Sequence, residues 1–219
     1  MRYELKIPIN CNLDLYFKSW IDTKYHISKL FNQRKINSVY YDTESFNIAQ
    51  DNLAGISDRQ KYRIRWYNND KDNFNYEIKL KKNNLGKKIV LFSNKILNNF
   101  EDLYSKKNIF LNNNVNKHFQ KKIIYSGLKP VIKIDYLRTY YLYKKKVRIT
   151  YDRKMNYQFI DKFDFKNKVI EDYMNVVEIK FEPDNYYTAL ELIKDTKFAP
   201  KRFSKYLRGL YMFNKTVYI

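Results

Sequence analysis

The chain has 219 residues, 44% of them hydrophobic, and 43 Lys plus Arg against 23 Asp plus Glu give a formal net charge of +20. That length suits one well-buried domain spanning residues 1–219, and the charge points to a polyanionic partner: nucleic acid, anionic membrane or a polyphosphate-like ligand. A lone cysteine, Cys11, and two widely separated histidines, His26 and His118, exclude a disulfide framework and argue against a zinc site.

The four glycines, Gly55, Gly86, Gly127 and Gly209, are scattered. A loop that cradles phosphate with backbone N–H groups needs clustered glycine, so P-loop and Rossmann chemistry are excluded. Phosphates, if bound, are bound by side chains. Lys, Asn, Tyr and Ile are abundant together, as in an AT-rich coding background, which supplies part of the lysine excess without a functional demand. The start, Arg2-Tyr3-Glu4-Leu5-Lys6, has no apolar leader and no stretch reaches membrane-span length, so the expectation is a soluble cytoplasmic protein.

Alternation of charged and apolar residues predicts a first strand over Tyr3–Ile9. Leu13, Phe17, Trp20, Ile21, Ile27, Leu30 and Phe31 then recur at helical spacing, predicting one helix from about Leu13 to Phe31, capped by Asn12 or Asp14. Ile36–Asp42 reads as a strand and Glu44–Leu53 as a short helix stopped at Gly55. Gln60–Tyr67 and Phe74–Lys81 form a hairpin about a polar turn, and Lys87–Phe92 is a further basic strand after Gly86. Between Ser93 and Tyr125 the spacing turns helical twice, around Ile96 to Tyr104 and Val115 to Ile124. Strands follow over Val131–Tyr143, Lys146–Asp152 and Val176–Glu182, with Lys144-Lys145-Lys146 as a solvated turn. Helices are predicted over Tyr186–Lys194 and Lys201–Phe213.

Five strands carry one ionic face: Glu4/Lys6, Lys61/Arg63/Arg65, Glu77/Lys79/Lys81, Arg148/Asp152 and Glu178/Lys180. A sandwich with solvated outer faces would account for the strands alone. The amphipathic helices need an apolar surface, however, and the strands' apolar faces supply it. The ionic faces then turn to water or to each other. The second arrangement is a polar-lined barrel, costly without a counter-anion and suited to a highly charged one. The carboxylates of Glu4, Glu77 and Glu178 are the oxygen type that Mg²⁺ or Mn²⁺ prefers.

The motifs Arg2-x-Glu4-x-Lys6, Tyr41-Asp42, Arg63-x-Arg65, Glu77-x-Lys79-x-Lys81, Arg138-Thr139-x-Tyr141, Arg148-x-Thr150-x-Asp152, Glu178-x-Lys180 and Ser204-Lys205-Tyr206 occur in this order along nearly the whole chain. In that order the sequence resembles the VTC-type polyphosphate polymerase domain of the triphosphate tunnel metalloenzymes, or CYTH superfamily. The resemblance implies an α+β fold, an antiparallel eight-stranded β-barrel (tunnel) with a charged lumen and helices packed outside. It implies catalytic roles for Arg63, Arg65, Lys79, Arg138, Arg148 and Lys205, phosphate contacts from Lys6, Lys81, Lys180 and Ser204, and a divalent metal on Glu178, aided by Glu4 or Glu77. Where the wider superfamily opens Glu-x-Glu-x-Lys, this chain has Arg2 at the first acidic position. That departure argues against thiamine triphosphatase or adenylate cyclase more than against a polymerase.

The implied reaction joins the γ-phosphate of ATP to inorganic polyphosphate, with Mn²⁺ or Mg²⁺ and no nucleophilic side chain, since positioning and charge neutralisation carry phosphoryl transfer. Three alternatives stand beside it: a tunnel-fold triphosphatase or polyphosphatase, a non-catalytic polyphosphate-binding subunit, and a nucleic-acid-binding module. The last is disfavoured because carboxylates share the cationic strand faces and no nucleic-acid-binding motif is visible. Trp66 reads as core, and Lys61 sits at the edge of its strand.

Overall fold

The computed structural model describes residues 2–82, 85–93, 127–160, 168–194 and 196–216. Its sheet follows the path β1-β9-β7-β6-β2-β3-β4-β5, with a short β8 beside β7. The strands are β1 Tyr3–Asn10, β2 Ile27–Asp42, β3 Arg59–Tyr67, β4 Asp70–Lys82, β5 Leu85–Ser93, β6 Lys129–Tyr143, β7 Val147–Phe159, β8 Val169–Glu171 and β9 Met174–Phe181. Four α-helices are described: α1 Asp14–Thr23, α2 Asn47–Leu53, α3 Tyr186–Lys194 and α4 Lys205–Met212. The α+β class and the antiparallel sheet expected from the sequence are therefore the ones found. Among the described residues no helix is long and apolar enough to cross a membrane.

The chain forms two compact units. The first contains Met1–Lys35, Asp135–Asn156 and Glu171–Ser204. In it β1 over Leu5–Ile9, β7 over Val147–Asp152 and β9 over Val177–Phe181 alternate, so Ile7, Ile9, Ile149, Tyr151, Val177, Ile179 and Phe181 share one buried face. Helix α1 lays Phe17 and Ile21 on that face, and α3 lays Ala189 and Leu192 there. The rings of Phe17 and Tyr151 pack 4.5 Å apart. The polar residues between these positions are thereby forced onto the opposite face.

The second unit contains Ile36–Ile134, Tyr157–Ile170 and Lys205–Ile219. Its core is built on Val39, Tyr41, Tyr62, Ile64, Trp66, Phe74, Tyr76 and Ile78, which confirms Trp66 as a packing residue. Helix α2 begins after Phe46, whose φ of +58° offers no side-chain cap. Asp42 supplies one from a distance: its Oδ1 accepts the N–H groups of Thr43 and Ile48, and its Oδ2 that of Ala49. The Tyr206 hydroxyl of α4 donates to the same Oδ2, so one buried carboxylate ties both helices to the end of β2.

Several boundaries differ from the sequence expectation. The helix predicted to Phe31 ends at Thr23, and Ile27–Phe31 belongs to β2. Lys24 turns extended and His26 takes φ +67°, after which the carbonyl of His26 accepts from Lys144 N–H and the Ser28 hydroxyl donates to Leu142. Leu30 and Phe31 are exposed, so their helical spacing had no packing consequence. The β3–β4 turn is tighter than its polar run suggested, since Tyr67 already pairs with Asp70 beyond a bulge and Asn68 takes φ +51°. Strand β7 continues past Asp152 to Phe159, and β8 gave no periodic signal. Lys201–Ser204 is not helical, because Lys201 N–H is drawn to the carbonyl of Lys6 on β1. The two helices expected between Ser93 and Tyr125 lie outside the described residues.

Candidate functional site

In the second unit, antiparallel register sets Ser38 beside Arg65, Tyr40 beside Arg63 and Arg63 beside Glu77. One row further along, Lys61, Lys79 and Lys88 are lateral neighbours on β3, β4 and β5. Glu77 is only 1% exposed and is the anchor of this face. Its Oε2 accepts from Arg63 Nε at 2.6 Å and lies 3.8 Å from Arg65 Nη1, while Oε1 accepts from Lys88 Nζ at 3.1 Å. Burial by itself would raise the Glu77 pKa, but Arg63, Arg65 and Lys88 more than offset it and hold the group down at about 2.

The two arginines are oriented by different partners. Arg65 Nε donates to Ser38 Oγ at 3.1 Å, and Arg63 Nη1 donates to the Tyr40 hydroxyl at 2.9 Å. Tyr40 is in turn stacked on Tyr206 at 5.2 Å. Burial would raise the phenol's pKa, yet Arg63, Arg65 and Lys205 bring it below the ordinary value. Lys205 is itself buried at the start of α4, which a helical lysine seldom is. Lys79 and Lys81 are half-buried on β4, with Lys81 opposite Arg59.

In the first unit, β1, β7 and β9 set Glu4, Lys180 and Arg148 in one lateral row and Lys6, Glu178 and Thr150 in the next. Arg138 joins them from β6, gripping Asp152 through two hydrogen bonds and reaching Glu178 Oε2 at 3.3 Å. Lys180 Nζ donates to the same oxygen at 2.8 Å. Lys6 Nζ lies 3.4 Å from Glu4 Oε1 and donates to the carbonyl of Phe203 at 3.0 Å, next to Ser204. Arg148 is exposed, and it is Arg138, on a strand of different sequence context, that takes Asp152.

The candidate residues therefore fall into two groups. Arg63, Arg65, Glu77, Lys79, Lys81 and Lys205 belong to the second unit, and Glu4, Lys6, Arg138, Arg148, Glu178, Lys180 and Ser204 to the first. Sequence reasoning assigned no role to Ser38, Tyr40, Lys88 or Thr150. Tyr40 and Ser38 share the period-2 register of β2 with the arginines opposite, a signal that emerges only once β2 and β3 are paired.

Among the described residues, no three His, Cys, Asp or Glu side chains gather as a metal cluster. Glu178 is nevertheless buried, and across the register from it the buried Thr150 Oγ1 has no hydrogen-bond partner. A carboxylate and an unsatisfied hydroxyl oxygen suit a hard divalent ion that keeps water or phosphate oxygens in its remaining positions. Glu77, held by three cations, is suited instead to orienting arginines.

Comparison with solved structures places this architecture. A candidate adenylyl cyclase from Hippeastrum, reported to have a dominant triphosphatase activity, is 11% identical with a TM-score of 0.58, covering 99% of this chain and 98% of that chain. A candidate adenylate cyclase from Bacillus halodurans is 11% identical with a TM-score of 0.57, covering 94% of this chain and 97% of that chain. A protein from Pyrococcus horikoshii is 15% identical with a TM-score of 0.52, covering 97% and 98%. At such identities the likeness is one of fold, the tunnel fold that the motif order implied. Among curated proteins, no sequence matches this one. The VTC domain model, by contrast, matches residues 1–214, essentially the whole chain with both charged faces, and the chain belongs to the VTC domain family.

Proposed function

We propose that this protein is a metal-dependent polyphosphate polymerase that moves the γ-phosphate of ATP onto a growing inorganic polyphosphate chain. The observation that carries the reading is the anchored arginine pair: Arg63 and Arg65 are fixed on one strand face by Glu77, Tyr40 and Ser38, with lysines in the adjoining row. Planar guanidinium groups held in place recognise phosphate oxygens bidentately and lose little entropy on doing so. The VTC family and the tunnel fold support a function on triphosphate or polyphosphate.

In the proposed reaction an ionised terminal oxygen of the acceptor attacks the γ-phosphorus in line. The new P–O bond forms as the bond from Pγ to the β–γ bridging oxygen breaks, and ADP departs with the electron pair. No protein base is required, because the attacking phosphate oxygen is already ionised. Arg63, Arg65 and Lys205 hold the charge that develops on the transferred group, with Lys79, Arg138 and Arg148 as further catalytic cations. Lys6, Lys81, Lys180 and Ser204 hold the remainder of the phosphate chain. Tunnel-fold triphosphatases generally use divalent metal ions. Glu178 and Thr150, with Glu4 nearby on β1, would hold such an ion here, and when bound it would neutralise charge on the phosphate oxygens. Glu77 acts by orienting the arginines.

The test is incubation with radiolabelled ATP, with and without Mn²⁺ or Mg²⁺, followed by separation of the products. Long-chain polyphosphate with stoichiometric ADP, abolished by chelator, is the expected result. Release of free phosphate alone would overturn the polymerase reading in favour of a tunnel-fold hydrolase. Tight polyphosphate binding without turnover would reduce the protein to a binding subunit.

A further inference from the structure

Two motif residues take no part in the chemistry proposed above: Asp42 of Tyr41-Asp42 and Tyr206 of Ser204-Lys205-Tyr206. Both are buried in the second unit, Asp42 at the end of β2 and Tyr206 in the first turn of α4. The Tyr206 hydroxyl donates to Asp42 Oδ2, and the N–H groups of Thr43, Ile48 and Ala49 hold the rest of the carboxylate. A buried carboxylate tied to so many donors cannot turn without losing several of them at once, so Asp42 is a fixed point for whatever bonds to it.

Tyr206 carries that fixation towards the charged face. Its ring stacks on Tyr40, with planes 17° from parallel, and the Tyr40 hydroxyl accepts from Arg63 Nη1. Its chain neighbour Lys205 reaches the same phenol. Burial raises the Tyr40 pKa, but Arg63, Arg65 and Lys205 together bring it below the ordinary value. The Lys205 ammonium thus gathers with the two guanidinium groups about one ring. Arg63 and Arg65 are steadied by side-chain hydrogen bonds to Tyr40, Glu77 and Ser38. Lysine has a flexible four-carbon stem, so its placement depends more on the backbone that carries it. Lys205 opens α4 directly after the non-helical residues 201–204, and the Asp42–Tyr206 bond anchors that opening turn one residue further on.

We propose that Asp42 and Tyr206 are positioning residues for phosphate binding: their hydrogen bond locks the first turn of α4 so that Lys205 meets the same phosphoryl group as Arg63 and Arg65. The inference rests on the reading of these three cations as phosphate-binding, and not on whether the product is polyphosphate. Asp42 acts only through Tyr206 and α4.

Isothermal titration calorimetry of the full chain with tripolyphosphate tests it, arranged as a double-mutant cycle. Tyr206→Phe deletes the hydroxyl and keeps the ring on Tyr40. It should weaken tripolyphosphate binding about tenfold, and Lys205→Gln at least as much. The double variant should bind no more weakly than Lys205→Gln alone, since without the lysine the bond has nothing left to place. A merely structural role would lower the melting temperature and either leave binding by the folded protein unchanged or make the two losses multiply. Asp42→Ala should show the Tyr206→Phe loss together with a lower melting temperature, because it also strips the N–H groups before and within α2 of their acceptor. Tyr206→Phe leaves those groups paired, so the test stands on it should Asp42→Ala fold poorly. Unchanged binding in Tyr206→Phe, or losses that multiply in the double variant, would overturn the proposal even in a protein that makes polyphosphate. A coupled cycle in a protein that makes none would uphold the positioning role and overturn the polymerase reading alone. Failure of the wild type to bind tripolyphosphate would overturn both.

Discussion

Arg138 and Asp152 meet fork to fork across β6 and β7, Nε 2.5 Å from Oδ1 and Nη2 2.6 Å from Oδ2, with both side chains buried. Removing one partner strands the other charge away from water. Arg138→Gln should therefore destabilise the protein by about 3–5 kcal/mol in urea unfolding. Arg138→Lys should recover only part of this, since an ammonium cannot reproduce the paired bonds. A loss below about 1 kcal/mol for Arg138→Gln, the range of an exposed pair, would refute the buried pairing.

Glu77 makes stability pH-dependent in a defined window. Its pKa falls from 4.5 in the unfolded chain to about 2 in the fold, a case of a depressed carboxylate. Its contribution is fully present above about pH 4.5 and is lost as the pH falls towards 2. The amount at stake is on the order of 3 kcal/mol. Unfolding free energies of wild type and Glu77→Gln should differ most at pH 6 and converge near pH 2. A constant difference across that range would contradict the ion cluster.

Gly209 on α4 is a packing glycine. A Cβ there would come within 2.6 Å of both Ile132 Cδ1 and Tyr157 Cδ1, and those side chains are fully buried at 0% exposure. Gly209→Ala should cost about 1–3 kcal/mol through overpacking, outweighing the better helix propensity of alanine. A variant with an unchanged or raised melting temperature would show that α4 can shift outward freely.

Arg65→Ala and Glu178→Gln should abolish or strongly reduce polyphosphate synthesis, by roughly a hundredfold or more in kcat, while circular dichroism stays that of the wild type. Lys81→Ala, near the C-terminal end of β4, should act chiefly on KM for the phosphate substrates. Wild-type turnover in either of the first two variants would remove that residue from the proposed machinery.

The strand periodicities were legible because a face buried under helices must be apolar at every second position. Tyr62, Ile64, Trp66, Ile78 and Tyr76 all satisfy that rule and all lie in the core. The error at Ile27–Phe31 arose where β2 is exposed along much of its first half, so neither period was enforced by burial. Lys205 is a comparable case: position on a helix gives no warning of its burial, and only the motif singled it out.

Composition and alternation by themselves determined the strongly basic net charge, the absence of clustered glycine for backbone phosphate binding, and which residues of each strand share the ionic face. These depend on residue type and a two-residue repeat, both local. Partnership was decided by tertiary structure alone. Asp152 pairs with Arg138 rather than its strand neighbour Arg148, Glu77 gathers Arg63, Arg65 and Lys88, and Tyr40 supports Arg63. Such pairings follow from strand order and register, which bring side chains far apart in sequence within hydrogen-bonding distance, and no local pattern encodes them.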